Sequence, residues 1–344
     1  METGRECKIV VYPGFGFTTR RGGAVIRVAG VVYEHRRPLG MSKEFLVKML
    51  ARAMSATPEE LLDETFRSRL APFVAKTRRG LRVWLQIGPR RFRLRRRTRR
   101  SGWFRGKLRL SSELLNRLRK SGALRGSQLT FRVWLSADTQ VKSTGTAFLL
   151  PPLGISVVSD IDDTIKLSEV SNRRELLANT FLREFRGIEG MAELYREWAG
   201  QGAAFHYVSS SPWQLFDPIL QWAAEAGFPA GTLHLRTFRL RDQVIRRRAN
   251  AKRRKRQSIS KMMKGFPRRR FILVGDSGER DPELYARLCS KYADRIAAVF
   301  IRDLESQPLG KRRFEQMKLQ AAPVLCARFA TAGELKQLAA PFFH

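Results

Sequence analysis

The chain has 344 residues, of which 43% are hydrophobic and 10% aromatic, so a wholly disordered chain is excluded. Its 66 lysine and arginine residues against 31 aspartate and glutamate residues give a formal net charge of +35, which favours a polyanionic partner such as nucleic acid or anionic lipid. Three distant cysteines favour reduced thiols over a disulfide framework, and no apolar run reaches the roughly 18 residues that a membrane-spanning helix needs.

Residues 1–150 have the pattern of a β-rich domain, with β-branched and aromatic runs separated by Gly, Ser or Asp. The predicted strands are 24–34, 81–88, 102–111, 129–136 and 145–150. Residues 42–55 have apolar side chains at helical spacing, and the following segment TPEELLDETF begins with a capping box at Thr57. We therefore predict a small β-sandwich-like domain with a helical insertion at about 42–74.

From residue 151 to residue 344 the pattern changes to alternating strands and helices. The predicted strands are 155–159, 204–208, 271–275 and 296–301, and the predicted helices are 174–185, 190–200, 214–226 and 281–291. This alternation predicts an α/β fold with a doubly wound parallel sheet. In such sheets the functional groups lie beyond the carboxyl ends of the strands.

Two basic tracts stand out, at residues 78–105 and 236–256. The first contains 12 lysine and arginine residues without an acidic residue, and the second contains 11 with one acidic residue. Solubility alone does not require acid-free runs of this density. We therefore expect the tracts to contact anionic lipid. The expected location is the cytoplasm, with peripheral binding at the inner face of the membrane. Trp103 and Phe104 are candidate interfacial anchors beside the first tract. Nucleic acid is the second choice, because the tracts lack interleaved aromatic residues.

Three aspartates, Asp160, Asp162 and Asp163, directly follow the apolar run ISVVS. Carboxylates this close repel one another unless a cation lies between them, and Mg²⁺ would both offset this repulsion and screen an incoming phosphate. Asp160 can then attack phosphorus while Asp162 protonates the leaving oxygen, and Thr164 can hydrogen-bond to the turn. Asp163 is interpreted as a helix-start carboxylate.

Other predicted strands end on groups of matching chemistry. Ser209 follows the second strand and supplies a hydroxyl for a phosphate oxygen. The third strand ends at Gly275 and Asp276, with Asp281 five residues later, and Lys255 lies on the predicted helix before it. Asp281 also fits the N-cap of the next helix. A metal, positioned carboxylates and a cation are what phosphoryl transfer needs.

The order DxDxT, Ser, Lys and GDxxxxD resembles the four motifs of haloacid-dehalogenase-like phosphatases. The segments SDIDDTIK, YVSSSPWQL, GDSGERDPELY and NTFLREFRGIEGMAELYREW resemble more closely the actin-patch-associated phosphatidate phosphatase family. The resemblance covers roughly residues 140–305, and the N-terminal β domain is similar to the one that precedes this domain in bacterial members.

This resemblance implies roles for individual residues. Asp160 would be the nucleophile and Asp162 the general acid/base. The implied phosphate-binding residues are Ser209 and Lys255, and the implied Mg²⁺ ligands are Asp160, Asp276 and the Asp162 main-chain carbonyl, supported by Asp281. Two assignments stay open: Ser210 or Ser211 can take the place of Ser209, and Lys252 or Lys261 can take the place of Lys255.

The leading interpretation is a Mg²⁺-dependent phosphatase that hydrolyses phosphatidate or a related lipid phosphate at a membrane surface through an aspartyl-phosphate. One alternative is the same chemistry on a nucleic-acid terminal phosphate or another phosphomonoester. The other is an inactive phosphatase-like fold that binds nucleic acid.

Overall fold

The computed structural model describes residues 7–34, 41–135, 138–236 and 249–343, and for 41–44, 138–141 and 249–254 it describes the backbone alone. The basic tract 236–256 therefore lies mostly outside the described residues. The chain divides into two compact units, one formed by Met1–Lys43 with Ala71–Pro152 and the other by Glu44–Leu70 with Leu153–His344. Most of the predicted helical insertion thus groups with the second unit.

The helical insertion consists of three helices, α1 (Met41–Met54), α2 (Pro58–Leu62) and α3 (Glu64–Val74). The predicted capping box is confirmed at the start of α2. The Thr57 hydroxyl accepts a hydrogen bond from the Glu60 backbone at 3.3 Å, and the Glu60 carboxylate accepts one from the Thr57 backbone at 2.8 Å. These two bonds satisfy backbone N–H groups that have no partner inside the helix, and so they specify where α2 begins.

The strands of the first unit form one hydrogen-bonded sheet, nine-stranded within the described residues. They are β1 (Cys7–Thr18), β2 (Ala24–Glu34), β3 (Lys76–Thr77), β4 (Val83–Ile87), β5 (Arg90–Arg93), β6 (Trp103–Leu110), β7 (Leu124–Arg125), β8 (Gln128–Leu135) and β9 (Asp138–Leu150). Their order is β3-β2-β1-β9-β8-β4-β5, with β6 beside β2 and β7 beside β8. The β1 and β9 pair is parallel, and the other pairs are antiparallel. The β-sandwich stays a prediction.

One face of β4 and β8 is packed against the core of this unit. Buried and outward-facing positions alternate along both strands, as they do in a half-buried sheet. Helix α4 (Ser112–Lys120), which begins at the N-cap Ser111, contributes Leu114, Leu115 and Leu118 to the same core. Phe104, an expected interfacial anchor, is buried there, and Trp103 lies against Tyr12 with ring centroids 5.3 Å apart. Phe104 is therefore wrong as a surface anchor, whereas the half-buried Trp103 stays a prediction.

The second unit contains a fully parallel sheet, six-stranded within the described residues, and this confirms the predicted α/β class. Its strands are β10 (Ile155–Ser159), β11 (Ala204–Pro212), β12 (Gly231–Arg236), β13 (Arg270–Asp276), β14 (Ile296–Arg302) and β15 (Leu325–Phe329). The order is β12-β11-β10-β13-β14-β15. Strands β10, β13 and β14 are continuous apolar runs with almost every residue buried, as expected for central strands of a parallel sheet.

Helices alternate with these strands. They are α5 (Arg173–Phe181), α6 (Met191–Gly200), α7 (Phe216–Glu225), α8 (Ala249–Gly265), α9 (Asp281–Tyr292), α10 (Lys311–Ala321) and α11 (Ala332–Ala339), with short 3₁₀ helices at Trp213–Leu215 and Ala340–Phe342. The finer, doubly wound arrangement stays a prediction. Across the described part of the chain, no helix combines the length and the apolar character needed to cross a bilayer.

The helical insertion packs against the segment around the end of α5. Phe66 lies edge-on to Phe181, with ring centroids 6.4 Å apart. The Arg69 guanidinium donates hydrogen bonds to the carbonyl oxygens of Thr180 at 3.0 Å and Arg183 at 2.6 Å. Arg69 is only 8% exposed. Its two bonds satisfy carbonyl groups that lie at the end of α5 and just after it.

We predict that Arg69→Gln lowers the free energy of unfolding by about 1–3 kcal/mol, because two shielded carbonyl groups lose their donor. The exposed Arg67 on the same helix provides the matched control, and Arg67→Gln is expected to leave the free energy of unfolding within about 0.5 kcal/mol of wild type. Urea unfolding of the full chain measures both. Equal effects of the two changes would contradict the proposed anchoring of the insertion.

Candidate active site

The predicted polar groups meet at one edge of the parallel sheet. Asp160 directly follows β10, Ser209 lies in β11, Asp276 is the last residue of β13 and Asp281 begins α9. The backbone N–H of Asp160 donates to the Val274 carbonyl at 2.9 Å, and this bond holds the turn after β10 against β13. Because carboxyl ends of parallel strands lie at the same edge, segments distant in the chain converge here.

Three of these carboxylates form a buried cluster. One oxygen from each of Asp160, Asp276 and Asp281 lies within 4.8 Å of the others, and none of the three residues is more than 1% exposed. The Oδ2 atom of each has no hydrogen-bond partner among the described residues. Buried carboxylate oxygens without donors are the ligands that a hard divalent cation prefers, so the donor set fits Mg²⁺.

The pKa values of two members of the cluster are raised. Burial raises the pKa of Asp160 well above its ordinary value, although Lys255 opposes this effect. Burial, together with the charge of Asp281, raises the pKa of Asp276 to about 8. Without a further cation, the cluster therefore tends to hold protons at neutral pH.

Lys255 brings positive charge to the cluster from α8. Its Nζ atom donates to Asp160 Oδ1 and to Asp281 Oδ1, each at 2.6 Å. Burial lowers the pKa of Lys255, but Asp160 and Asp281 raise it well above its ordinary value, so the ammonium form is retained. Of the alternative lysines, Lys261 is exposed to solvent, and the side chain of Lys252 lies outside the described residues. The geometry therefore favours Lys255. Asp281 therefore lies in the site as a partner of the Lys255 ammonium.

Asp162 lies in a different environment from Asp160. Ser209 and Ser211 donate to its Oδ2 atom at 2.9 and 2.7 Å, and Ser168 donates to Oδ1 at 2.7 Å. The Lys166 ammonium is 3.2 Å from Oδ1. Burial raises the pKa of Asp162, but Lys166 and the three hydroxyl groups outweigh it and lower the pKa to about 2. At neutral pH Asp162 is therefore a carboxylate that can accept a proton.

Lys166 and Ser168 were missed in the sequence, and Ser211 was kept only as an alternative phosphate ligand. Lys166 is 3% exposed, and its ammonium lies 4.7 Å from the centroid of the Phe185 ring. The Arg69 guanidinium lies 4.0 Å from the same ring centroid. The Phe185 ring thus joins the helical insertion to the surroundings of Asp162. The only sequence signal for Lys166 was its place two residues after the DxDxT motif.

Ser210, a predicted phosphate-binding residue, faces another group. Its hydroxyl donates to the Glu279 carboxylate at 3.1 Å. Burial raises the pKa of Glu279, and Lys255 opposes this effect. Sequence analysis missed Glu279, although it lies inside GDSGERD between two predicted ligands. The structure thus separates Ser210 from Ser209 and Ser211, which both bond to Asp162.

Asp163 does not start a helix. It has a φ of 56°, and its carboxylate accepts hydrogen bonds at 2.7–2.8 Å from the backbone N–H groups of residues 168–170. It thereby closes the loop that carries Ser168. The backbone N–H of Thr164 donates to the Ile161 carbonyl at 3.3 Å, while its buried Oγ1 has no partner in the described part of the chain. The expected side-chain bond of Thr164 is therefore not seen.

Gly275 allows the cluster to assemble. A Cβ atom at this position would press against the Asp281 carboxylate and would lie 2.8 Å from the Tyr285 ring. Tyr285 in turn donates to the Val274 carbonyl at 3.0 Å and cannot easily move aside. Only glycine leaves room for α9 to begin this close to β13.

Comparison with known proteins gives a consistent result. A model of the family described as the catalytic domain of phosphatidate phosphatase APP1 matches residues 155–303. Phosphatidate phosphatase APP1 of Saccharomyces cerevisiae is 36% identical over 168 residues, which are 47% of this chain and 28% of the yeast protein. An uncharacterised protein of Schizosaccharomyces pombe is 34% identical over 185 residues, which are 52% of this chain and 30% of that protein.

Residues 155–303 match this catalytic-domain family, and we call them the APP1-type segment. The predicted resemblance is confirmed, and the haloacid-dehalogenase-like assignment is consistent with it. The APP1-type segment contains the carboxylate cluster, Lys255 and all the groups that surround Asp162. The chain spans less than a third of the length of these curated relatives.

The APP1-type segment does not include the helical insertion or the last strand of its sheet. Strand β15 and helices α10 and α11 follow residue 303, and residues 44–70 precede the segment. The unit that carries the site is therefore larger than the segment shared with the family model.

We predict that Gly275→Ala lowers the free energy of unfolding by about 1–3 kcal/mol, because the new methyl group overpacks the junction of β13 and α9. The matched control is Gly200→Ala at the end of α6, where a Cβ atom would meet no atom within 4 Å. That change is expected to be neutral or to stabilise by up to about 1 kcal/mol. Thermal or urea unfolding measures both, and an unchanged stability of Gly275→Ala would refute the packing argument.

Proposed function

We propose that the second unit is a Mg²⁺-dependent phosphatase that hydrolyses a phosphomonoester through an aspartyl-phosphate on Asp160. The observation that carries this proposal is the buried cluster of Asp160, Asp276 and Asp281 beside the Lys255 ammonium. The cluster and Lys255 would together provide a nucleophile, a set of metal ligands and a cation in one site. The family match of residues 155–303 supports the same reaction class.

Asp160 is suited to act as the nucleophile. Lys255 holds its Oδ1 atom, while its Oδ2 atom has no partner among the described residues and can attack phosphorus. The bond from Oδ2 to phosphorus forms as the bond to the leaving oxygen breaks. Burial raises the pKa of Asp160 even beside Lys255, so the charge of a bound Mg²⁺ would be needed to keep Asp160 ionised and nucleophilic.

Asp162 is suited to move the protons. In the second step its carboxylate accepts a proton from the water that attacks the aspartyl-phosphate. In the first step it must carry a proton for the leaving oxygen. A bound phosphate favours this protonated form, because its negative charge repels the carboxylate and its oxygens compete for the hydroxyl groups of Ser209 and Ser211.

The metal would be held by Asp160, Asp276 and the main-chain carbonyl of Asp162, with Asp281 in support. When bound, Mg²⁺ would supply positive charge against the phosphate oxygens. Lys255 would supply the remaining charge, and Ser209 would orient the phosphate, with Ser210 or Ser211 as the alternative. Thr164 would support the turn after β10, and Gly275 would allow α9 to approach β13.

Phosphatidate or a related lipid phosphate is the proposed substrate. The support is the similarity to the yeast phosphatidate phosphatase APP1 over 47% of this chain, together with the net charge of +35, which favours an anionic surface. The same charge supports a cytoplasmic enzyme bound peripherally at the inner face of the membrane. A nucleic-acid terminal phosphate would fit the charge equally well, and the substrate test below includes it.

We predict that Asp160→Asn lowers the turnover of an aryl phosphate by about a thousandfold or more, because the amide cannot form the phosphoryl intermediate. Asp294, exposed at the surface, provides the matched control, and Asp294→Asn should retain wild-type turnover. Phosphate release in the presence of Mg²⁺ is the measurement. Activity that survives in Asp160→Asn would rule out this nucleophile.

The substrate is tested with the same two variants on phosphatidate in detergent micelles and on a 5′-phosphorylated oligonucleotide. We expect hydrolysis of phosphatidate that depends on Asp160. A preference for the oligonucleotide would replace the lipid substrate and leave the phosphatase chemistry in place.

We predict that Mg²⁺ affinity rises with pH from about pH 6 to about pH 8. Below a pKa of about 8, Asp276 holds a proton that the metal must displace, so acid weakens metal binding. Isothermal titration calorimetry of the full chain measures the affinity. Asp276→Asn should remove most of the binding, whereas Glu315→Gln at the surface should not change it. An affinity independent of pH would contradict the assignment of Asp276 as a ligand.

A further inference from the structure

An unusual row of side chains crosses the outward face of the first sheet. On β4, Trp84 is paired in register with Arg93 of β5 on one side and with Trp134 of β8 on the other. Trp134 is paired in turn with Lys142 of β9. The two indole rings are stacked, with centroids 6.2 Å apart and an interplanar angle of 14°, and the Arg93 guanidinium lies 6.0 Å from the Trp84 ring. The row therefore has a cation at each end and two indoles between them.

The neighbouring row extends the same positive surface. Arg91 of β5 and Arg132 of β8 flank Gln86 in register. The Arg91 guanidinium also lies 6.0 Å from the Trp134 ring. All four cations of the two rows, Arg91, Arg93, Arg132 and Lys142, are exposed, and neither row contains an acidic residue.

The core of the unit does not account for these tryptophans. The neighbours of Trp84 along β4, Val83 and Leu85, are fully buried on the opposite face. Strand alternation therefore directs Trp84 outward, and the same alternation directs Trp134 outward on β8. Tryptophan is frequent at membrane–water interfaces, where its ring lies at the level of the headgroups. Arginine beside it can contact phosphate groups.

We propose that the surface formed by Trp84, Trp134 and the four flanking cations binds the headgroup region of an anionic lipid bilayer. Charge complementarity carries the choice of an anionic partner, since the two rows hold four cations and no acid. The choice of lipid over nucleic acid rests partly on the proposed function.

The arrangement of the rings also favours lipid. Because β4 lies between β5 and β8, Arg93 and Trp134 flank Trp84 on opposite sides, the guanidinium 6.0 Å from the ring centroid and the second indole stacked at 6.2 Å. Binding of single-stranded nucleic acid uses open aromatic faces on which bases stack. The indoles here engage one another and the guanidinium groups, while a headgroup layer needs only ring edges and exposed cations.

The test is co-sedimentation of the full chain with phosphatidylcholine vesicles that contain phosphatidylserine, at about 0.15 M salt, where the Debye length is about 8 Å. Wild type should bind these vesicles and not pure phosphatidylcholine. Arg91→Gln/Arg93→Gln and Trp84→Ala/Trp134→Ala should each lower the partition coefficient by about tenfold or more. Circular dichroism checks the fold of the tryptophan variant, and the arginine variant changes only exposed side chains.

The matched control is Arg117→Gln/Arg119→Gln on α4, which removes the same charge from exposed positions of the same unit. It should lower the partition coefficient by less than about twofold. An equal loss in both arginine variants would overturn the proposal, because net charge alone would then explain binding. A single-stranded oligonucleotide could also displace the protein from the vesicles. If its binding required Trp84 and Trp134, the proposed lipid surface would be overturned.

Turnover of a water-soluble aryl phosphate separates this proposal from the proposed function. All the surface variants should keep wild-type turnover, since none lies in the unit that carries the site. An active protein that ignores anionic vesicles would overturn the surface and leave the phosphatase in place. An inactive protein that binds vesicles through Trp84 and Trp134 would support the surface and overturn the proposed phosphatase.

Discussion

The second unit depends on the balance of charge around Asp160, Asp276 and Asp281. Three carboxylates removed from water repel one another, and burial raises the pKa values of Asp160 and Asp276. Lys255 binds Asp160 and Asp281 at 2.6 Å and offsets part of this repulsion. Since one ammonium cannot neutralise three carboxylates, the cluster must take up protons or a further cation, and the proposed Mg²⁺ would fill this role.

Asp160 and Asp162 are two residues apart and both buried, yet their pKa values shift in opposite directions. Asp160 lies among other carboxylates, whereas Asp162 receives three hydroxyl hydrogen bonds and the Lys166 ammonium. Opposed environments of this kind allow two chemically identical groups to take different roles in one reaction. Lys166 also contacts Phe185, which Arg69 covers from the helical insertion, so a segment that precedes the APP1-type segment in the chain supports the surroundings of Asp162.

Much of the fold was predictable because its central elements carry strong local signals. The strands β10, β13 and β14 are buried on both faces and appear as continuous apolar runs, and the capping box at Thr57 marks α2. The strands β12 and β15 were missed, because both lie at the edges of the sheet and mix apolar with polar residues. The serines around Asp162 show the same limit within the site, since their hydroxyl groups reach Asp162 only when the loop after β10 and the end of β11 come together.

The order of the motifs by itself predicted that Asp160, Asp162, Ser209, Lys255, Asp276 and Asp281 lie close together, because most of them stand at or near the carboxyl ends of strands in one parallel sheet. The tertiary structure alone decided which groups touch: Lys255 bonds to Asp160 and Asp281, and Ser210 bonds to Glu279 and not to Asp162. It also decided that Trp84 and Trp134 lie among arginines, which the linear tract conceals. Strand register is a pairing between distant segments, and local sequence patterns do not encode it.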